Sequence, residues 1–247
     1  MHRGEPNRKM SKTTAIVLAA GQGKRMNAQV AKQYLILKDK PVMYYSLKAF
    51  EDSNVDEIIL VTGNGQVDYC REQIVAFYQM NKVTKIIEGG KERYDSVYRA
   101  FKSIEETDYV LIHDGARPFI TPNMINNMMQ QVKIYEACIV GTPVKETIKV
   151  VNPAGIVIDT PNRDTLWSVQ TPQAFAYASI RKAYDVLYKE EGMKSMTVTD
   201  DAMVYEAYIK HPIKMIMGDY KNLKLTTEED LNVAKTWMEE MGDRTVM

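Results

Sequence analysis

The sequence predicts an α/β protein, a parallel sheet with crossover helices and one β-hairpin projecting from the core. Two observations lead there. From Thr13 onward, short β-branched runs alternate with longer amphipathic stretches, as strands alternate with helices. Between Lys145 and Asn162 the rhythm breaks into two β-like runs joined by a turn sequence. The chain has 247 residues and no linker-like shift in composition, which fits one domain over 13–247.

Taken in order, the strand runs are Ala15–Leu18, Glu57–Val61, Val83–Ile87, Tyr109–Ile112 and Ala137–Val140. Between them, Val42–Glu51, Gln66–Gln79, Tyr94–Ile104 and Pro122–Tyr135 place apolar residues at helical spacing. Thr121 ahead of Pro122 reads as an N-cap before the first helical position. The hairpin, a β-arm at about 145–163, joins Thr147–Val151 to Ile156–Ile158 across Asn152, Pro153, Ala154 and Gly155. Beyond it the pattern predicts helices near Ser179–Lys189 and Asp200–Tyr208, a strand at Ile213–Met217 and a last helix. A capping box of Thr226 with Glu229 is expected to open that helix. Residues 1–12 are polar and read as a loose tail.

Acidic and basic side chains balance at 32 each, so no global field would hold a nucleic-acid backbone and an anionic ligand needs a local cluster. Cys70 and Cys138 stand in no metal-type spacing and read as reduced, packed thiols of a cytoplasmic protein. No stretch approaches the roughly 18 apolar residues of a membrane span, and the start lacks a signal-peptide core. Neither a nucleic acid nor a membrane is expected as a partner.

The first strand runs into Leu18-Ala19-Ala20-Gly21-Gln22-Gly23-Lys24-Arg25-Met26, with Lys32 shortly after. Small residues let backbone N–H groups approach phosphate oxygens, and the cations neutralise charge there. A dinucleotide-binding fingerprint needs a third small residue where Met26 stands, and a P-loop needs Gly-Lys-Ser/Thr after four spacers; neither fits. An ordinary strand-to-helix turn would account for the glycines but not for Arg25 and Lys32.

A second cluster, His113-Asp114-Gly115-Ala116-Arg117-Pro118, follows the run Tyr109–Ile112. Ligands of open parallel sheets sit beyond the carboxyl ends of the strands, so both clusters are expected to face one crevice. Asp114 suits a metal and Arg117 an anion, although a salt-bridged turn would explain Arg117 alone. His113 reads as a hydrogen-bonded structural residue. Asp200 alone reads as an N-cap.

Further polar segments are Gly89–Ser96, Thr142–Lys149, Arg163–Phe175, Thr199–Ala202 and Asn222–Thr227. Each alone reads as a cap or turn. Together and in order they resemble the sugar-phosphate cytidylyltransferases, the branch acting on 2-C-methyl-D-erythritol 4-phosphate more than the ribitol 5-phosphate branch. The resemblance runs from about Thr14 to the last helix.

It implies a Rossmann-like nucleotidyltransferase fold, a divalent cation such as Mg2+, and a homodimer whose arms embrace. CTP and a small sugar phosphate are the substrates it implies. Ala19, Ala20, Gly21 and Gly23 would border the nucleotide, while Gly90 and Ser96 would read the cytosine. Arg25, Lys32 and Lys224 match the cations around the reacting phosphorus. Asp114 matches a residue near the metal and nucleotide. Arg117, Thr147, Arg163, Thr171 and Thr199 match residues holding the second substrate. Two positions depart from the family: Lys91 replaces an acidic or small residue, and Ala31 a common proline. The rival reading from another class, a non-catalytic nucleotide-binding regulatory module, would need the glycine loop but not Arg25, Lys32, Asp114 and Lys224 together.

Overall fold

The computed structural model describes residues 11–21, 31–189 and 197–243. The chain runs β1 (Thr13–Ala19), a short ribbon of β2 (Ile36–Leu37) and β3 (Lys40–Pro41), α1 (Val42–Glu51), β4 (Glu57–Thr62) and α2 (Val67–Tyr69). Next come β5 (Val83–Glu88), α3 (Arg93–Ser103), β6 (Tyr109–Asp114), α4 (Pro122–Tyr135) and β7 (Ala137–Pro143). The arm strands β8 (Val150–Val151) and β9 (Val157–Asp159) lead to β10 (Trp167–Ala176) and α5 (Tyr177–Lys189). Last are α6 (Asp201–Tyr208), β11 (Lys214–Met217) and α7 (Glu228–Asp243).

Seven strands form one sheet in the order β11-β7-β10-β6-β1-β4-β5. All neighbours run parallel except β10, which is antiparallel to both β6 and β7. Strands β4 and β5 build outward from β1 on one side and β6 starts the other. The strand order therefore reverses at β1, and the carboxyl ends of β1 and β6 flank the switch point where such sheets open a crevice.

Period-2 side-chain alternation divides the core between the two faces. Ala15, Val17 and Ala19 of β1 pack with Phe50 of α1 and Met128 of α4, whereas Ile16 packs with Phe101 of α3 and Tyr184 of α5. Burying each large apolar side chain contributes about 1.5–3 kcal/mol. A third cluster joins Leu37, Val42 and Phe119 to Leu225 and Ala234, seating α7 beside the ribbon.

The expected strands and helices form with small changes of boundary, and Thr121 caps α4 by accepting the Met124 N–H at 3.2 Å. Asp200 likewise caps α6 by accepting the Met203 N–H at 2.9 Å. Three details differ. The helix expected over Gln66–Gln79 is α-helical only at α2 and continues as a π-helix, Cys70–Ala76; apolar spacing does not distinguish these two hydrogen-bond patterns. The capping box of α7 is Thr227 with Asp230, one residue beyond Thr226 with Glu229: the Asp230 N–H donates to Thr227 Oγ1 at 3.2 Å, and its carboxylate accepts the Thr227 N–H at 2.9 Å. The same carboxylate also accepts the Thr226 N–H and hydroxyl, so two adjacent threonines compete for one acidic partner.

The third difference is β10, a ten-residue strand absent from the sequence reading. Its polar composition hides it, because its polar side chains find partners only in the folded chain. Gln173, fully buried, donates to Asp200 Oδ2 at 2.9 Å and accepts the N–H groups of Asp201 and Ala202, each at 3.0 Å. The hairpin forms, with β8 and β9 antiparallel and Gly155 at a φ of 78° in the turn, but its first strand is shorter than the expected Thr147–Val151, residues 147–149 lying outside it. Ile156 and Ile158 on it are each 63% exposed.

Candidate functional site

Asp114, the last residue of β6, lies at the floor of the crevice opposite Leu18 of β1. Lys224 Nζ reaches its Oδ2 at 2.7 Å and Arg93 Nε its Oδ1 at 3.2 Å. Lys224 arrives from far along the chain because Leu223 and Leu225 pack in the third core cluster and the Leu225 N–H donates to the Ala116 carbonyl at 2.9 Å. Arg93 opens α3 and bridges to the fully buried Asp201 at 2.8 Å, which in turn accepts the Tyr184 hydroxyl at 2.6 Å.

Burial alone would raise the Asp114 carboxyl, but Arg93, Lys224 and Arg117 outweigh it and hold the group well below the usual carboxylate range. Burial likewise opposes the charge on Arg93, yet Asp201 and Asp114 hold its affinity for the proton above the ordinary value. The floor is therefore a fixed set of charges.

Arg117 is buried behind Asp114 and donates to the Asn222 carbonyl at 2.7 Å. The Asn222 side chain donates to the Thr171 carbonyl at 2.9 Å. Thr171 sits at the irregularity of β10, where its hydroxyl accepts the Asp114 N–H at 3.1 Å and contacts His113 Nδ1 at 3.1 Å. His113 is structural, as expected: it is buried, and burial pushes it down to about 3.

Small residues let the opposite wall approach. Gly90 donates its N–H to Ser96 Oγ at 3.0 Å, and a Cβ at Gly90 would fall 2.1 Å from the Cβ of Asp95. On the β1 side, Gln33 donates to the Ala19 carbonyl at 2.6 Å and ties the short helical turn of Lys32–Tyr34 to the strand end. The resulting cleft of about 570 Å3 is lined by Ala20, Gly21, Lys32, Gly90, Ser96, Asp114 and Lys224 among the expected residues.

Ala19 lies buried just behind that lining. Arg117 and Thr171 sit under the floor rather than along the cleft wall. Thr147, Arg163 and Thr199 are exposed and do not line the cleft; Arg163 donates to the Lys145 carbonyl at 3.1 Å at the base of the arm. Gly23 and Arg25 lie outside the described residues. Sequence reasoning assigned no role to Arg93, Gln33, Asn222 or Asp201. Arg93 stands in a polar segment that the sequence does mark, but its two buried carboxylate partners come from β6 and α6, which only the fold brings together.

Among the described residues no three acidic, histidine or cysteine side chains converge on a metal position. Of the described carboxylates only two, Asp114 and Glu92, line the cleft, and Asp114 stands among cations, which does not suit a resident ion. It does suit Mg2+ of the kind that takes most of its ligands from phosphate oxygens and water.

Compared with known proteins, residues 13–240 match the sequence model of a family described as 2-C-methyl-D-erythritol 4-phosphate cytidylyltransferase. The chain is similar to the protein of that description from Lachnoclostridium phytofermentans, at 50% identity over 95% of this chain and 99% of the relative. The Lachnospira eligens relative of the same description is 52% identical over 90% and 96% of the two chains. Among solved structures, a 4-diphosphocytidyl-2C-methyl-D-erythritol synthase from Anaerococcus prevotii superposes with a TM-score of 0.81 at 29% identity, covering 93% of this chain and 96% of that one. A Francisella tularensis structure described as the cytidylyltransferase gives a TM-score of 0.74 at 30% identity over 92% and 99%.

Proposed function

The chain belongs to the 2-C-methyl-D-erythritol 4-phosphate cytidylyltransferase family, and from that premise we propose that the cleft at the ends of β1 and β6 performs the family's reaction. CMP passes from CTP to 2-C-methyl-D-erythritol 4-phosphate, giving 4-diphosphocytidyl-2-C-methyl-D-erythritol and pyrophosphate, a step of non-mevalonate isoprenoid precursor synthesis. The observation carrying this assignment is Asp114, held ionised by Lys224 and Arg93 directly across from the small-residue end of β1.

A phosphate monoester is already anionic near neutral pH, so its oxygen attacks the α-phosphorus without a general base. The obstacle is bringing two anions together while charge builds on the bridging oxygen, so catalysis rests on positioning and fixed positive charge. Lys32 and Lys224 both line the cleft and offer that charge, with Arg25 assigned beside them by resemblance. Ala20 and Gly21 leave backbone exposed to the triphosphate, and Gly90 with Ser96 forms a small wall suited to cytosine. Thr171 and Arg117 keep the floor in place from beneath it, and it is resemblance alone that assigns them, together with Thr199, to the sugar phosphate. Mg2+, when bound, would supply further charge neutralisation, and Asp114 would hold it.

The exposed apolar residues of the arm support a homodimer in which each arm, with Thr147 and Arg163, reaches the partner subunit's site. The free, buried thiols of Cys70 and Cys138 support a cytoplasmic location.

The test is pyrophosphate release from CTP with each sugar phosphate offered in turn. Turnover is expected with the methylerythritol substrate, and turnover with ribitol 5-phosphate alone would overturn the assignment. CTP should be preferred to ATP, GTP and UTP, and excess EDTA should stop the reaction.

A further inference from the structure

We infer that Tyr188, which does not line the cleft, is a positioning residue for the turn from Gly90 to Ser96, acting through Asp95. The inference rests on the reading that this turn receives the cytosine of CTP. Asp95 divides its carboxylate between two partners: Oδ2 accepts the Glu92 N–H at 2.9 Å, and Oδ1 accepts the Tyr188 hydroxyl. Glu92 and Asp95 together form the capping box of α3, so this carboxylate fixes where the helix begins.

Gly90 packs against the same side chain, close enough that a Cβ there would sit 2.1 Å from that of Asp95. Any swing of Asp95 is therefore felt by the backbone facing the nucleotide. Tyr188 is held in turn by its ring, stacked on Tyr98 with centroids 4.1 Å apart and planes 11° from parallel. The Tyr98 hydroxyl donates to Asp185 at 2.9 Å, which anchors the stack to α5. Burial and the neighbouring Asp95 raise the Tyr188 hydroxyl above the ordinary phenol range, so it remains a donor at working pH.

Without that hydroxyl, Asp95 has one oxygen unheld, rotates, and releases the capping bond part of the time. The turn then has to be ordered by the nucleotide itself, a cost that falls on nucleotide binding and not on the chemical step once the site is full.

Tyr188→Phe keeps the stacked ring and removes only the hydroxyl. The expected result is a rise of about five- to tenfold in KM for CTP, the size of one lost hydrogen bond of ordinary net strength. The dissociation constant for CTP, measured without sugar phosphate, should rise in parallel. Both kcat and the KM for the sugar phosphate should stay within about twofold, the pattern of lost ground-state binding. Combining Tyr188→Phe with Asp95→Asn should weaken CTP binding by less than the sum of the two. An unchanged affinity for CTP, even with a lowered Tm, would reduce Tyr188 to a structural residue and overturn the inference. Equal rises in both KM values would do the same. A wild-type protein that neither binds nor turns over CTP would sink the activity assignment itself, whereas an active wild type with an indifferent Tyr188→Phe sinks only this inference.

Discussion

Lys224 and Lys32 show how differently two cations of one cleft are fixed. Lys224 is paired to Asp114 and flanked by two packed leucines, so its charge is placed before any ligand arrives. Lys32 instead rides on a three-residue turn secured by Gln33 to the Ala19 carbonyl. Lys32→Met keeps much of the stem and deletes the charge. Losing one charge-assisted contact in the transition state is expected to cost about 3 kcal/mol, or on the order of a hundredfold in kcat. Steady-state turnover with an unaltered circular dichroism spectrum would establish this, and near-normal kcat would return Lys32 to the surface. Gln33→Leu should lower kcat by a smaller factor, since the turn loses its tether and keeps the charge.

Among the elements, α7 is the one whose stability the site depends on most visibly, since its cluster carries Leu223 and Leu225 on either side of Lys224. Thr227→Ala removes the capping acceptor and should cost about 1 kcal/mol of stability in a denaturant titration. The same box gives a pH dependence. Burial raises the Asp230 carboxyl, but the hydroxyl and N–H groups of Thr226 and Thr227 outweigh it and lower its proton affinity in the folded chain. Below its unfolded value of about 4 the unfolded chain takes up the proton first, so this stabilisation is full above that pH and is lost as pH falls. Asp230→Asn should therefore flatten the acid limb of the stability curve; an unchanged limb would mean that other carboxylates set it. This cap was also nearly legible in the sequence, which points to the helix start but not to which of two adjacent threonines takes the carboxylate. The parallel strands were readable because each is an apolar run with a crossover helix behind it. Strand β10 was not, because Gln170, Thr171 and Gln173 become core residues only through partners distant in sequence. The same reason hid Arg93, whereas Asp114 stood out through its motif, and Lys224 and the Gly90 turn only through the ordered set of segments and the resemblance it carries.

At the scale of the whole molecule, the arm offers the sharpest test. On the proposed homodimer, Lys32→Met and Arg163→Ala subunits, each expected to be nearly inactive alone, would be unfolded together and refolded into mixed dimers. If the arm crosses, one site in each mixed dimer carries both lesions and the other carries none, so activity returns toward half of wild type. No recovery in confirmed mixed dimers would refute crossing and leave the reaction untouched. The order in which the ribosome makes these parts adds a consequence of the β10 insertion. The Asp114 floor is laid down in the first half of the chain, yet the hydroxyl that accepts its N–H comes from Thr171, the carbonyl that holds Arg117 from Asn222, and one of its two ion-pair partners from Lys224. A nascent chain halted before Asp219 therefore has a floor whose acid lacks one of its two ion-pair partners, and it should not retain CTP. The working cleft is complete only once Lys224 has been made, so a stop ahead of that residue should yield no active enzyme.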